Sequence, residues 1–359
     1  MFSWSRLFPL EYRVASQGKG SDMSPGLNGI ANAGNTCYIN SVLQCLSNTP
    51  AFRNVLLNED IPIHPDSKSQ GQLVDALVNF MKMMWSSGNL VLNTKAILLA
   101  LRSYTKKFDG NQQQDAQEFL LYLLAALNEE AKVVPDQYNG STYSNTSSKQ
   151  VGSFRALHYW EKFQTTEASV FSDIFVGQLR SSVRCSNCKR TSTVYEIFWE
   201  LSLPVPPGGG TLYECLNKFF NGETLHNTCQ YCKKQSDLVK LYEIQRLPPV
   251  LILWFKRFSS NFTQKVTSPI KFPREGLDME YYISASGRRV ESRYTYDLCA
   301  VSNHIGKTAL YGHYTAYCRR EGTGRWYLYD DTVVSPVDAQ TVESAEAEHG
   351  AYILVYQRR

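Results

Sequence analysis

No run of about 18 apolar residues occurs anywhere in the 359-residue chain, so the sequence offers no transmembrane helix. Lysine and arginine do not cluster. Lys256-Arg257 and Arg319-Arg320 are isolated pairs, and the net charge is +4. A nucleic-acid surface needs a stripe of basic residues, and none is present. Met1 to Leu10 contains Trp4 and Phe8 but neither a continuous apolar core nor a small-residue cleavage site, so no signal peptide is expected. No internal repeat is visible. These absences lead to the expectation of a non-secreted protein, cytoplasmic and/or nuclear, with no nucleic-acid or membrane partner.

Core-forming residues are plentiful. Hydrophobic side chains make up 43% of the chain and aromatic ones 13%, with 22 tyrosines. The aromatic content suits β structure and concave binding surfaces, although core packing alone also accounts for it. Nine cysteines are present, and four of them form two C-x-x-C pairs. In a long chain without a leader, metal binding or catalysis is the expected use of such cysteines. The N-x-S/T sequons at Asn139, Asn145 and Asn261 would matter only in the secretory pathway.

The pattern changes along the chain. Residues 1–26 read as a flexible tail. A helical region follows. Gln72 to Trp85 places Leu73, Ala76, Leu77, Phe80, Met81 and Met84 on one face. Asn111 to Ala131 repeats Ala116, Phe119, Leu120, Leu123, Leu124 and Leu127 at helical spacing. Asp136 to Gln150, rich in Ser, Thr, Asn and Gly, reads as an exposed loop. From about residue 165 the character becomes β. Val250 to Phe258 reads as a buried strand, as do His313 to Arg319, Arg325 to Tyr329 and Ala351 to Tyr356. The Glu321-Gly322-Thr323-Gly324 turn joins two of these into a hairpin. Helices first and strands later predict an α+β fold.

Cys37 stands at the junction of a polar turn, Asn32 to Thr36, and an amphipathic helix marked by Ile39, Val42, Leu43 and Leu46. Asn35 or Thr36 can cap that helix, and a thiol at a helix N-terminus is biased toward the reactive thiolate. A thiol nucleophile needs a base and a group to orient the base. His313 lies beside a glycine at the start of one hairpin strand, and Asp330-Asp331 end the partner strand. The hairpin therefore returns Asp330 beside His313. A core histidine with two turn aspartates would give the same pattern. Asn32 and the backbone N–H groups near Cys37 are candidate oxyanion donors, although turn chemistry is the commoner use of Asn.

Cys185, Cys188, Cys229 and Cys232 form two C-x-x-C knuckles, which together supply four thiolates for a closed tetrahedral Zn²⁺ site. Four free thiols or a redox pair are the alternatives. Cys45, Cys215, Cys299 and Cys318 sit among apolar residues and read as packing. Gln112 to Glu118 opens the long helix with amides and carboxylates. These either cap the helix or hydrogen-bond an extended peptide.

Taken together these blocks resemble the ubiquitin-specific proteases, papain-like cysteine proteases that remove ubiquitin. GNTCYIN-S-x-LQ-C-L is similar to the family's Cys box and Asn111 to Phe119 to its QQDAQEF helix. LPPVLILWFKRF is similar to its central strand, and GHYTAY with WYLYDD to its His box. The resemblance runs from about Leu27 to Tyr356. It implies a right-hand architecture over 27–356, with a helical thumb at about 27–150, zinc-bearing β fingers at about 170–245 and a β palm. It implies Cys37 as nucleophile, His313 as base and Asp330 as orienting group, with Asp331 as the alternative third member and Asn32 as an oxyanion donor. Asp115, Gln117, Glu118, Tyr38 and Tyr314 would then bind the ubiquitin tail, with Asp115 and Glu118 facing its arginines and Ser302 to Tyr311 forming a mobile roof. Zn²⁺ would be structural, and the partners would be ubiquitin and ubiquitinated proteins. Ala31, Ala33 and Ile39 depart from the family's usual residues without touching a catalytic atom. No extra targeting domain is evident, and a monomeric, bare catalytic core is expected.

Overall fold

Helical periodicity and capping chemistry set the N-terminal half. The structure is a computed structural model that describes residues 13–14, 24–88, 90–133, 154–258, 264–289, 293–308 and 311–359. Five helices come first: α1 Cys37–Ser47, α2 Pro50–Asn58, α3 Gln72–Met84, α4 Lys95–Leu101 and α5 Ala116–Ala131. The apolar face of α5 buries Phe119, Leu120, Leu123, Leu124 and Leu127 against α1 and α3. Burying a ring the size of Phe119 contributes roughly 1.5–3 kcal/mol. The helix starts later than its periodicity predicts. Asp115 holds an extended conformation and accepts hydrogen bonds from the N–H groups of Gln117 and Glu118, so residues 111–115 form a non-helical lead-in. Short strands β1 Arg13–Val14, β2 Gly29–Ile30 and β3 Leu90–Leu92 pair beside the helices. Apart from β1 and Ser24–Gly26, the expected tail lies outside the described residues. So do the loop expected at 136–150 and the three sequons.

The change to β near residue 165 is less abrupt than expected. Helices α6 Phe154–Thr166 and α7 Val170–Phe175 precede the strands, and α8 Leu212–Phe220 interrupts them. Ser169 and Thr211 build capping boxes that start α7 and α8. A four-stranded sheet then carries the C-x-x-C pairs. It contains β4 Gly177–Cys185, β5 Thr191–Phe198, β8 Glu223–Thr228 and β9 Gln235–Arg246, in the order β5-β4-β9-β8.

The larger sheet contains β6 Leu201–Pro204, β10 Val250–Lys256, β13 Thr295–Thr308, β14 Tyr311–Arg319, β15 Trp326–Asp330, β16 Val333–Val337 and β17 Ala351–Arg358. Their order is β16-β15-β14-β13-β17-β10-β6. Short β12 Leu277–Asp278 pairs with β13, and β7 Gly210–Thr211 pairs with β11 Ile270–Lys271 in a separate ladder. One face of the large sheet packs on the helical core and the other on α8 and its neighbours. Ser302 to Thr308, expected as a mobile loop, belong to β13 and pair with β14, with a register shift between Gly306 and Thr308.

Arg257 explains how β10 is held at its end. Its guanidinium is fully buried and donates to the carbonyls of Ala351, Val266, Ser268 and Glu348. Four carbonyl acceptors replace the lost hydration, and the strand end is tied to β17. Among the described residues no helix is long and apolar enough to cross a membrane.

Candidate active site

Cys37 is the first residue of α1, and α1 packs directly on β14, the strand that carries His313. Thr36 occupies the N-cap position, but its hydroxyl makes no capping bond and instead accepts from the Ala33 N–H at 2.9 Å. The expected side-chain cap is therefore absent; the Ile39 and Asn40 N–H groups donate to the Thr36 carbonyl, which leaves those of Cys37 and Tyr38 at the head of the helix. Burial pushes the Cys37 thiol above its usual value. The N–H groups of Tyr314, Tyr38 and Cys37 itself pull it down, and the Asp331 carboxylate pushes it up. In the free protein, burial outweighs the thiolate bias expected from the helix end.

The hairpin brings Asp330 to His313 as its lengths predict. His313 Nε2 lies 2.6 Å from Asp330 Oδ1. A carboxylate only accepts, so Nε2 carries the proton and Nδ1 is the nitrogen free to act as a base. Asp331 reaches within 4.8 Å of the same pair but is hydrogen-bonded to other partners. Its two oxygens accept from Asn32 Nδ2 at 2.9 Å and Asn40 Nδ2 at 2.7 Å. Asn32 Oδ1 in turn accepts from the Thr36 N–H at 3.0 Å and the Gly34 N–H at 3.2 Å. The Asn32 amide is thus locked, with one N–H on Asp331 and its second left over.

Backbone contacts bring Asp331 to this place. It sits in left-handed conformation at φ 49°, and its carbonyl accepts from the Ile30 N–H at 2.8 Å. Gly29 permits the approach, since an added Cβ would lie 2.5 Å from the Thr332 carbonyl oxygen. The tip of the β15–β16 turn is therefore docked on the segment that leads to Cys37.

A groove with a cavity of about 700 Å³ runs between α5 and the large sheet, lined in part by Asp115, Gln117, Glu118, Trp254 and Tyr352. The expected tail-binding residues divide here. Glu118 is partly exposed and paired with Lys107. Asp115 is already engaged by the α5 N–H groups and by Tyr352 Oη at 2.7 Å. Tyr38 faces inward, its ring packed against Phe108 and Phe119. Tyr314 is buried against His304 and Tyr352.

Glu200 accepts from Gln117 Nε2 at 2.7 Å, and its other oxygen is buried without a hydrogen bond. Burial raises its pKa from 4.5 to about 8. The folded chain keeps a proton that the unfolded chain releases above 4.5, so this group's contribution is full below that pH and is lost as pH rises through about 8. Glu200→Gln is predicted to raise the urea midpoint at alkaline pH and leave it nearly unchanged at acid pH. Equal midpoints at both pH values would contradict the reading.

The four C-x-x-C sulfurs come together as their spacing predicts. Cys185 and Cys232 Sγ are 4.0 Å apart, Cys188 and Cys229 Sγ 3.7 Å, and all four lie within 4.8 Å of one another. A tetrahedral zinc–thiolate site has sulfur–sulfur edges of about 3.8 Å, so the donor set fits one metal ion. Lys189 and Lys233, each following a pair, adopt left-handed conformations and close two matching turns. The Cys188 N–H and other donors pull the Cys185 thiol down to about 6, which favours metal ligation.

Sequence reasoning missed Asn40, Gln113 and the division of labour between Asp330 and Asp331. Asn40 carried a signal, since it is a polar residue beside Ser41 on the inward side of an amphipathic helix.

An α+β fold in which a thiol opens a helix packed on the strand of a carboxylate-bound imidazole has the architecture of the papain-like thiol hydrolases. The comparisons specify the family. The profile described as ubiquitin carboxyl-terminal hydrolase matches residues 28–356. Ubiquitin carboxyl-terminal hydrolase 2 of Homo sapiens is 36% identical over 354 residues, covering 95% of this chain and 56% of that protein. The Gallus gallus protein of the same name is 35% identical over 359 residues, covering 96% and 97%. Among solved structures, the SAGA Ubp8/Sgf11/Sus1/Sgf73 DUB module bound to ubiquitin aldehyde matches with a TM-score of 0.67 and 26% identity, over 94% of this chain and 70% of that one. The chain belongs to the ubiquitin carboxyl-terminal hydrolase family, the ubiquitin-specific group of thiol-dependent deubiquitinating enzymes. It spans about half the length of several curated relatives that it matches.

Proposed function

We propose that this chain hydrolyses the isopeptide or peptide bond after the C-terminal glycine of ubiquitin through a thioester on Cys37. The observation that carries this reading is the 2.6 Å His313–Asp330 contact on the strand that packs against the Cys37 helix. His313 Nδ1 takes the thiol proton, and the sulfur attacks the glycine carbonyl. The second Asn32 N–H and the N–H groups of Cys37 and Tyr38 at the head of α1 receive the oxyanion. The imidazolium protonates the leaving lysine amine, and water, deprotonated by the same nitrogen, releases the acid. Asp330 holds the tautomer throughout.

The groove between α5 and the large sheet is read as the tail channel, with Glu118 as its accessible carboxylate. Residues 27–150 are read as a thumb, 170–245 as fingers and the large sheet as a palm. Hydrolysis of a ubiquitin C-terminal rhodamine amide, beside the matching substrate of another ubiquitin-like modifier, tests the substrate. The prediction is turnover of the ubiquitin substrate alone. Turnover of only the other modifier would overturn the assignment.

Zn²⁺ is the metal proposed for Cys185, Cys188, Cys229 and Cys232. When bound it cross-links the two knuckles and holds β4, β8 and β9 together. Metal analysis is predicted to find about one zinc per chain. Cys229→Ser is predicted to lose that zinc and melt at lower temperature. A wild-type protein without near-stoichiometric zinc would contradict the proposal.

A further inference from the structure

The strand that carries His313 loses its partner on one side before it reaches that residue. β15 pairs with β14 only from Ala316↔Tyr329 to Arg319↔Trp326. Among the described residues, Tyr311 to Thr315 therefore have β13 on one side and no strand on the other. Gln113, in the non-helical lead-in to α5, fills the gap. Its Oε1 accepts from the Gly312 N–H at 2.9 Å, and its Nε2 donates to the Gly312 carbonyl at 2.9 Å. A carboxamide has the donor and acceptor of a peptide group, so the two bonds imitate one rung of an antiparallel ladder.

The next N–H on the same edge of the strand, that of Tyr314, faces the Cys37 thiol. Gln113 thus holds the peptide group just before His313, and the Tyr314 N–H just after it lies near the nucleophile. β13 holds this point weakly, because Gly306 opposite Gly312 has φ 151° and the register slips just beyond it. Gly312 has no room for a side chain, since a Cβ would collide with the buried His304 imidazole. Gln113 is itself presented from a fixed base. Asp115 is bound by Tyr352, and Gln117 is bound to Glu200.

We propose that Gln113 is a positioning residue for His313: its carboxamide replaces the missing strand at Gly312 and fixes where the imidazole projects. Gln113 does not touch the reacting atoms. The proposal deepens the function given above and rests on it for its kinetic test.

The full chain is compared with Gln113→Met, which keeps the length and loses both bonds, and with Gln113→Glu. Gln113→Met is expected to lower kcat on the ubiquitin–rhodamine substrate by about tenfold, with a much smaller change in KM. An ionised glutamate cannot donate to the Gly312 carbonyl, whereas a protonated one restores both bonds. The kcat of Gln113→Glu relative to wild type is therefore expected to climb as pH falls from 8 toward 5.5, a rescue that a purely structural role would not produce. Unchanged kcat in Gln113→Met, a rate above wild type, or a pH-independent ratio for Gln113→Glu would each overturn the proposal.

A second arm needs no ubiquitin. In ¹⁵N spectra the His313 Nε2 proton bonded to Asp330 is expected to be sharp in wild type and broadened or lost in Gln113→Met. Identical imidazole spectra would overturn the proposal. If wild type fails to turn over ubiquitin, the functional reading falls while this arm still decides the role of Gln113.

Discussion

Cys37→Ala is expected to lower kcat on a ubiquitin C-terminal amide by at least about 10⁴-fold, the scale on which nucleophile deletions act in thiol and serine hydrolases. Ubiquitin affinity is expected to stay close to wild type, because the groove lined by Gln117, Glu118 and Trp254 is untouched. Cys37 opens α1, and in the proposed mechanism its sulfur is the one atom that forms the thioester. None of the other described cysteines offers a substitute. Cys45, Cys215, Cys299 and Cys318 are buried, and the remaining four are gathered where they could hold a metal ion. Burst kinetics and binding measured on the same preparation check both halves. Residual turnover within about tenfold of wild type would remove Cys37 from its role.

The paired aspartates should fail in different ways. Asp330→Ala removes the partner of His313 Nε2, and a loss of about 10²–10⁴-fold in kcat is expected, as when an orienting carboxylate is removed from a triad. Asp331→Ala leaves that contact intact and orphans the amides of Asn32 and Asn40 instead. Its expected effect is that of losing an oxyanion donor, about 10–10³-fold in kcat, with the acid limb of the profile moved to lower pH because the Asp331 carboxylate no longer raises the Cys37 thiol. Parallel pH–kcat profiles of the two variants separate the roles. A larger loss of kcat in Asp331→Ala than in Asp330→Ala would exchange them.

Much of the site was legible in the sequence because it is local. The Cys37 helix, the hairpin that returns Asp330 to His313, and the two C-x-x-C turns each lie within a few residues of their own signals. What was not legible depends on long-range placement of single polar groups. Nothing in Gln112 to Gln114 distinguishes the one amide that reaches Gly312, 199 residues away. Hairpin length favoured Asp330 for the imidazole, but nothing in Asp330-Asp331 says that the second carboxylate binds Asn32 and Asn40, because a left-handed residue at Asp331 and the close approach at Gly29 decide it. The same applies to Asp115 and Tyr38. Helix capping and ring packing claim groups whose chemistry alone would suit a ligand. The start of α5 at Ala116 rather than Asn111 is the backbone form of this effect, since the apolar periodicity extends no further back than Ala116 and Asp115 caps the helix there.

The central claim is that Cys37 attacks the carbonyl at the end of ubiquitin. Its most direct test is intact-mass and peptide analysis after incubation with a ubiquitin bearing a C-terminal electrophile. The account predicts one ubiquitin per chain, attached at Cys37, with no adduct in Cys37→Ala. An adduct on another cysteine, or none on a wild-type chain that binds ubiquitin, would contradict it.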